Sequence, residues 1–555
     1  MKKPLSEHPN PQFERKSYLS LNGYWDYEIS KNPAIPSFFS GKILVPYSPE
    51  APLSEVNHIL QPDEYLFYKL EFSLNEDFID DEVYLHFLAV DQICDVYLND
   101  IYLGHHEGGY LPFKFEIKNA LKEKNILIVR VIDKSDKNDM SRGKQRLKHG
   151  GIWYTPQSGI YYPVYLESVP KEHIENIRIT PDIDNHEVII KVDGKLDTCT
   201  LKMGKATFDI KTNKEEHIKL LEMHLWSVED PYLYPLTVKM GRDEVNTYFA
   251  MRKFSILTDE DGYKRFALNN KPIFMKGVLD QGYYFGGLLT PSSYDDYVRD
   301  IELVKSLGFN TIRKHIKVEI PQWYYECDKR GMIVWQDFIN GGDKYNLFTI
   351  TLPLFTHHHK KDNKYLSFAR KNQIGREKTI EEFKGIINYL YNFPSIALWT
   401  IFNEGWGQFD SQFVLEEMLK IDNTRLYDHA SGWHDQGIGD IKSMHFYFQK
   451  AKMPKNDTRC LSISEFGGLV LPINGHYQKG NSVYTKYKDV DDFMNAYQKM
   501  IERDIISNIP KGLSASIYTQ LSDVEEEVNG FITYDREVIK VDVDKIKEIN
   551  SKIRL

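Results

Sequence analysis

Cysteine is scarce. The 555 residues contain only Cys94, Cys199, Cys327 and Cys460. They are far apart and form no CxxC pair, which excludes a disulfide framework and a thiolate zinc site and fits a reduced, cytoplasmic protein. Long apolar runs are missing as well: none reaches the ~18 residues of a membrane span, so no membrane association is expected. The opening MKKPLSEHPNPQFERK has lysines but no apolar core behind them, so no signal peptide is expected. Basic blocks are absent too. With 70 Lys+Arg against 80 Asp+Glu and a net charge of −10, nucleic acid is excluded as a partner. There is no internal repeat and no low-complexity tract.

Aromatic residues, by contrast, make up 13% of the chain, with 36 Tyr, 30 Phe and 8 Trp. That richness favours β-rich domains and surfaces on which sugars stack. The length calls for roughly two to four domains. Residues 1–170 hold strand-like runs: Gly23–Ile29, Leu66–Phe72, Glu82–Phe87, Cys94–Leu98 and Ile126–Val131. Turn signals such as Asn99-Asp100 separate them, as in a jelly-roll sandwich. Residues 171–257 hold further short strands, Glu187–Val192 and Leu236–Met240 among them, and suit an immunoglobulin-like sandwich.

From residue 258 to 555 the pattern changes. Eight apolar runs alternate with amphipathic stretches: Ile273–Val278, Phe309–His315, Met332–Phe338, Ile396–Glu404, Leu426–Gly432, Ser443–Tyr447, Cys460–Phe466 and Ala515–Leu521. Tyr294–Leu307 and Phe493–Ile505 are two of the helical stretches between them. This is the rhythm of a (β/α)8 TIM barrel. The fourth run, FPSIALWTIFNEGWGQFD, does not alternate, so it reads as a strand buried on both faces and ending on Asn403-Glu404. The seventh, CLSISEFGG, ends on Glu465. Carboxylates at the carboxyl ends of barrel strands lie where such folds keep their chemistry.

These residues resemble glycoside hydrolase family 2, the group of β-galactosidases, β-glucuronidases and β-mannosidases. The resemblance rests on Leu21-Asn22-Gly23 with Trp25, Val96–Asn99, His106–Phe113 and Gly151-Ile152-Trp153 in the first part. It continues through Trp226-Ser227, Asp230–Tyr234 and Met251-Arg252 to Gly308–Arg313, Asn403-Glu404 and Ser464–Gly467 in the last. It implies a retaining exo-β-glycosidase, most similar to short β-galactosidase-like members, with a carbohydrate or glycoside substrate and no cofactor. Glu404 matches the family's general acid/base and Glu465 its nucleophile. Retention requires such a pair ~5–5.5 Å apart, one carboxyl protonated and the other ionised. Asn403 is expected to bind the sugar 2-hydroxyl and Arg313 to hold Glu465 ionised. His315 is a candidate sugar or nucleophile contact. His445 and Tyr447 resemble the site beside the nucleophile, and Trp406 and Trp433 are candidates for stacking on the sugar.

Departures bear on the substrate. Glucuronidases of this family carry Asn-x-Lys-Gly after the eighth strand, whereas this chain reads Glu527-Val528-Asn529-Gly530. A glutamate beside a uronate repels it, so a neutral, β-galactoside-like sugar is favoured over a glucuronide. The Glu-x-His pair through which long β-galactosidases bind magnesium is missing from Trp335–Asn340, so no metal is expected; His357-His358-His359 in a polar loop reads as unliganded. Tyr518 stands where the family brings a tryptophan to the sugar. A β-glucuronidase or β-mannosidase, a non-catalytic carbohydrate-binding protein, and sugar transfer in place of hydrolysis stay open, as does a homo-oligomeric assembly.

Overall fold

A computed structural model of the chain describes residues 3–356, 358–478 and 485–555. The first domain is a sandwich of two antiparallel sheets. One has the order Tyr18–Ser20, Val164–Val169, Glu82–Phe87, Phe113–Glu116. The other runs Gly41–Val45, Gly23–Ser30, Tyr65–Phe72, Asn125–Ile132, Ile93–Leu98, Ile101–Glu107. Asn125–Ile132 shows how sequence becomes packing. Its alternate residues Leu127, Val129 and Val131 are fully buried against Trp25, Tyr68, Leu85 and Phe87, while Ile126 and Ile128 face outward. Asn99 and Asp100 join two strands with φ of 52° and 69°, the left-handed pair that a type I′ hairpin turn needs.

The second domain packs Ile174–Asp182, Glu187–Gly194 and Glu215–Lys219 against a four-stranded sheet that ends in Tyr234–Met240 and Asp243–Phe249. A three-stranded antiparallel element follows, Phe254–Thr258, Lys264–Leu268 and Lys271–Pro272. Residue 257 lies within it, between the last sandwich strand and the first barrel strand.

Among the described residues, eight parallel strands form the barrel: β1 (Met275–Asp280), β2 (Thr311–Lys314), β3 (Ile333–Asp337), β4 (Ile396–Thr400), β5 (Leu426–Asp428), β6 (Ile441–Phe446), β7 (Cys460–Gly467) and β8 (Leu513–Thr519). Each coincides with one of the eight runs read from the sequence. The ladder is continuous from β5 back through β1 to β8, β7 and β6, and it is broken only between β5 and β6. There the Asp440 side chain accepts from the Tyr427 amide at 2.8 Å and the Asp440 amide donates to the Tyr427 carbonyl at 3.0 Å. The regular strand–helix alternation also fails at this point: the β5–β6 and β6–β7 connections carry no helix. Helices α1 (Tyr294–Ser306), α2 (Pro321–Arg330), α3 (Gln373–Leu390), α4 (Ser411–Leu419) and α5 (Val490–Met500) occupy other connections. α1 is stopped at its start by a Ser293–Asp296 capping box and buries Tyr297, Ile301 and Val304, one stripe of its surface. Among the described residues no helix is long and apolar enough to cross a membrane.

Phe254, Phe266 and Leu268 from the antiparallel element plug the barrel floor, packing with Met275, Leu279, Trp335, Leu398 and Ile517 from the strands. Phe266 is fully buried and lies 5.6 Å from Trp335, ring centre to ring centre. Phe266→Ala should destabilise the barrel by about 3–5 kcal/mol, the cost of an aromatic-sized cavity. Urea unfolding followed by tryptophan fluorescence measures this, and a loss under about 1 kcal/mol would mean the plug does not hold the floor.

Candidate functional site

At the opposite, carboxyl-terminal end of the strands lies a cavity of about 510 Å³. Glu404 and Glu465 both line it, with His315, Trp406, Trp433 and Tyr447. The local backbone aims both carboxylates. Just past β4, Glu404 sits at φ 51°, a left-handed conformation that costs a glutamate about 1–2 kcal/mol and turns it off the strand path. In β7 the pairing with both neighbours slips at Ser464-Glu465. Such a bulge changes which face a side chain takes, and here it delivers Glu465 to the cavity.

Carboxylate oxygens of Glu404 and Glu465 and a ring nitrogen of His445 all lie within 4.8 Å of one another. His445 Nδ1 is 2.9 Å from Glu404 Oε1 and 3.6 Å from Glu465 Oε2, and its Nε2 meets Ser431 Oγ at 2.9 Å. Glu465 has the stronger cationic surroundings. Arg313, with no exposed surface, donates from one terminal nitrogen to Glu465 Oε1 at 3.1 Å and to the Ser464 carbonyl. Its Nε and other terminal nitrogen grip Asp337 and Asn403. The Tyr447 hydroxyl donates to Glu465 Oε2. Burial alone would push the Glu465 carboxyl up, but the charges of His445 and Arg313 outweigh it and hold the group well below the usual carboxylate range. Glu404 is shifted the other way: burial and the neighbouring Glu465 charge raise it, and His445 only partly offsets them. One pocket thus holds a carboxyl whose hold on its proton is strengthened and one whose hold is weakened.

The remaining expected residues divide. Asn403 Oδ1 accepts from Arg313 at 2.9 Å, and its buried Nδ2 has no partner among the described residues. His315 Nδ1 lies 2.6 Å from Asp337 Oδ2, while burial and nearby Lys144 push its proton affinity well down. Trp433 lines the cavity and donates from Nε1 to the Glu404 carbonyl at 3.0 Å; Trp406 lines it beside Trp153. Tyr518 is a correction. Successive residues of a strand point to opposite faces, and on β8 Ile517 points into the barrel while Tyr518 points out toward the helices. It is fully buried there, stacked on Phe531 at 4.6 Å and edge-on to Tyr497, and Thr519 takes the place on the cavity wall.

Other cavity residues escape a reading of the sequence. Lys144, Ile152 and Trp153 come from the first sandwich, which packs on the barrel mouth. It is fastened there by the loop after β8: Glu525 accepts from the Thr155 amide, Glu526 from the Gly151 amide and Glu527 from the Tyr154 hydroxyl. Of the three cavity residues from the sandwich, Ile152 and Trp153 belong to the Gly151-Ile152-Trp153 stretch that carries the family resemblance, while Lys144 bore no signal in the sequence. Of the histidine tract, His357 lies outside the described residues. His359 Nε2 meets the Asp435 carbonyl at 2.8 Å, so it is engaged by backbone. The Glu404–His445–Glu465 atoms are close enough to ligate an ion, but each carboxylate already accepts hydrogen bonds that orient it. A second cluster, His476, Asp535 and Glu537, stands apart from the cavity.

Comparison with known proteins agrees with this architecture. A β-galactosidase of Thermoanaerobacterium thermosulfurigenes is 28% identical over 305 residues, covering 49% of this chain and 40% of that protein. A putative β-glucuronidase of Formosa agariphila is 25% identical, covering 61% of this chain and 39% of that one. The chain therefore spans about two fifths of these relatives' length. Two solved structures share the fold over nearly the whole chain at 17% identity. One is a β-glucuronidase of an uncultured Clostridium sp., with a TM-score of 0.76 and 100% of both chains covered. The other is a family 2 β-galacturonidase of Eisenbergiella tayi, with a TM-score of 0.72 and 97% of both chains covered. Three family profiles match in order: the sugar binding domain of glycosyl hydrolases family 2 at residues 51–170, glycosyl hydrolases family 2 at 172–252, and the TIM barrel domain of that family at 260–554. With more than half of its residues in the last match alone, the chain belongs to glycosyl hydrolase family 2.

Proposed function

We propose that the protein is a retaining, exo-acting β-glycosidase that works by double displacement. One observation carries this reading: in the cavity an oxygen of one carboxylate lies within 4.8 Å of an oxygen of the other, and the two groups are shifted in opposite directions. Retaining enzymes keep the pair ~5–5.5 Å apart, whereas direct attack by water needs ~6.5–9.5 Å. Ionised Glu465 attacks the anomeric carbon, the bond to the aglycone oxygen breaks, and Glu404 gives that oxygen its proton. Glu404, now a base, takes a proton from water; the water oxygen attacks the same carbon and releases Glu465. The unpartnered Nδ2 of Asn403 suits the sugar 2-hydroxyl, a contact that strengthens in the transition state. Arg313 and Tyr447 keep Glu465 ionised and oriented, His445 bridges the pair, His315 offers Nε2 to a sugar hydroxyl, and Trp406 and Trp433 supply flat apolar faces. Side chains supply the first nucleophile and carry both proton transfers, water is the second nucleophile, and four buried, unpaired cysteines support a cytoplasmic setting.

For the sugar we favour a neutral, β-galactoside-like residue. The loop after β8 presents Glu526 and Glu527 to the cavity, and two carboxylates disfavour a third. A second reading, a β-uronide, is favoured by Lys144, whose ammonium lines the same cavity over the Tyr154 and Trp406 rings at 5.5 and 5.6 Å. A panel of nitrophenyl β-glycosides separates the two. We expect galactoside turnover to exceed glucuronide and galacturonide turnover by about tenfold or more in kcat/KM, roughly 1.4 kcal/mol of discrimination. A uronide that outruns every neutral sugar would move the assignment to Lys144 and the acidic sugar. No colour from any of them would leave a carbohydrate-binding protein without catalysis.

A further inference from the structure

The two sides of the cavity are chemically unlike. Lys144, Gln281, Glu526 and Glu527 line the side formed by the first sandwich and the loops after β8 and β1. The other side is mainly apolar, with Thr351 its one polar side chain from the segment that forms it. Asn346 caps a short helix, Leu347–Thr351, that continues as the turn Leu352–Leu354, and this segment turns Leu347, Ile350, Leu354 and Phe355 to the cavity. The segment is built in, not loose. His434 Nε2 meets the Thr349 carbonyl at 2.9 Å, which ties it to the loop after β5, and the ammonium of Lys360, farther along the same connection, donates to Thr349 Oγ1 at 2.8 Å. Phe355 stacks on Phe448 from the loop after β6, with ring centres 6.2 Å apart. Leu347 is nonetheless 71% exposed and Phe355 62% exposed. Exposed apolar side chains gathered at a cavity rim mark a binding surface.

The position of this rim names its occupant. It is carried by the loops after β3 and β6, on either side of the strand that delivers Glu404. In the proposed reaction Glu404 protonates the departing oxygen, so whatever leaves lies on that side. We infer that the apolar rim is an aglycone site, and that the substrates are glycosides of apolar alcohols or phenols, not oligosaccharides with a further sugar at that position. This rests on the glycosidase reading but is read out separately from it. A saccharide there would need several hydrogen-bonding groups within reach, whereas the side chains of Leu347, Ile350, Leu354 and Phe355 supply none and Thr351 of the same segment adds a single hydroxyl.

The test measures binding of uncleavable substrates to the full chain. Methyl and octyl 1-thio-β-galactosides, the corresponding thio-glucuronides and a thio-linked disaccharide are titrated by calorimetry. For whichever sugar binds, the octyl compound should bind about 100-fold tighter than the methyl one, a partial yield from seven methylenes. Leu347→Ser and Phe355→Ser, both at exposed positions, should each cut the octyl-to-methyl ratio about tenfold. An octyl compound no tighter than the methyl one, or a disaccharide tighter than the octyl glycoside, overturns the inference. So does a dimer in sedimentation that these two substitutions disperse while the ratio stays unchanged, since the rim would then cover a second copy. Failure of the parent reading looks different: no nitrophenyl glycoside is cleaved, whatever the thioglycosides do.

Discussion

Glu465→Ala is expected to lower turnover of every substrate by a factor on the order of 10⁴ or more, while folding and thioglycoside binding persist. The argument runs from position to chemistry. The bulge at Ser464-Glu465 delivers the carboxylate to the cavity. Arg313 and Tyr447 hold it there by hydrogen bonds to both oxygens. A carboxyl held well below its ordinary range is ionised at any working pH, which suits a nucleophile and would spoil an acid. A 2-deoxy-2-fluoro glycosyl fluoride of the right sugar should therefore leave its adduct on the peptide containing Ser464-Glu465-Phe466. In the alanine variant, azide should occupy the vacated space and yield a glycosyl azide of inverted configuration. An adduct on Glu404 would exchange the two roles, and no adduct together with inverted product would sink double displacement.

Glu404→Gln should produce a selective loss. Glycosides of poor leaving groups need the proton and should slow by roughly 10²–10⁴-fold, the usual worth of a general acid. Activated aryl glycosides need little protonation, so their first step should be spared. Equal losses in both classes would remove Glu404 from the acid role. The pH profile gives an independent reading. Glu404 acts as a proton donor and its affinity for the proton is raised, so the active form is present below its pKa and disappears as pH climbs through that elevated value. Glu465 must be ionised and its pKa is depressed, so activity falls on the acid side only when pH drops through a value below the ordinary carboxylate range. The two groups are close enough that these limbs belong to the pair. The alkaline limb of kcat/KM should nevertheless vanish in Glu404→Gln and persist in Tyr447→Phe, which removes a hydrogen bond to Glu465.

Much of this site was legible because each residue sits next to a strand end. Asn403 and Glu404 close an apolar run, Glu465 closes another, and Arg313 and His315 close a third. A strand buried on both faces needs a continuous apolar run, so its first polar residue marks the mouth of the barrel. Tyr518 shows where that logic stops. Period-2 alternation decides which way a side chain points, and a one-residue difference in phase separates the cavity wall from the helix layer. Two adjacent positions, Tyr518 and Thr519, look alike in a run buried throughout.

By itself the sequence determined the architecture and which polar residues close the barrel strands. Eight apolar runs with carboxylates at the ends of the fourth and seventh carry that information locally, in the period and length of each segment. Only the tertiary structure decided the walls of the cavity. Lys144 and Trp153 reach it from the first sandwich, hundreds of residues away from Glu526 and Glu527, because hydrogen bonds from Gly151, Tyr154 and Thr155 to those glutamates seat one domain on the other. The opposed shifts of Glu404 and Glu465 were decided there too. Proton affinity depends on burial and on charges a few ångströms away in space, and the groups that set it, His445 and Arg313, come from other strands of the closed barrel.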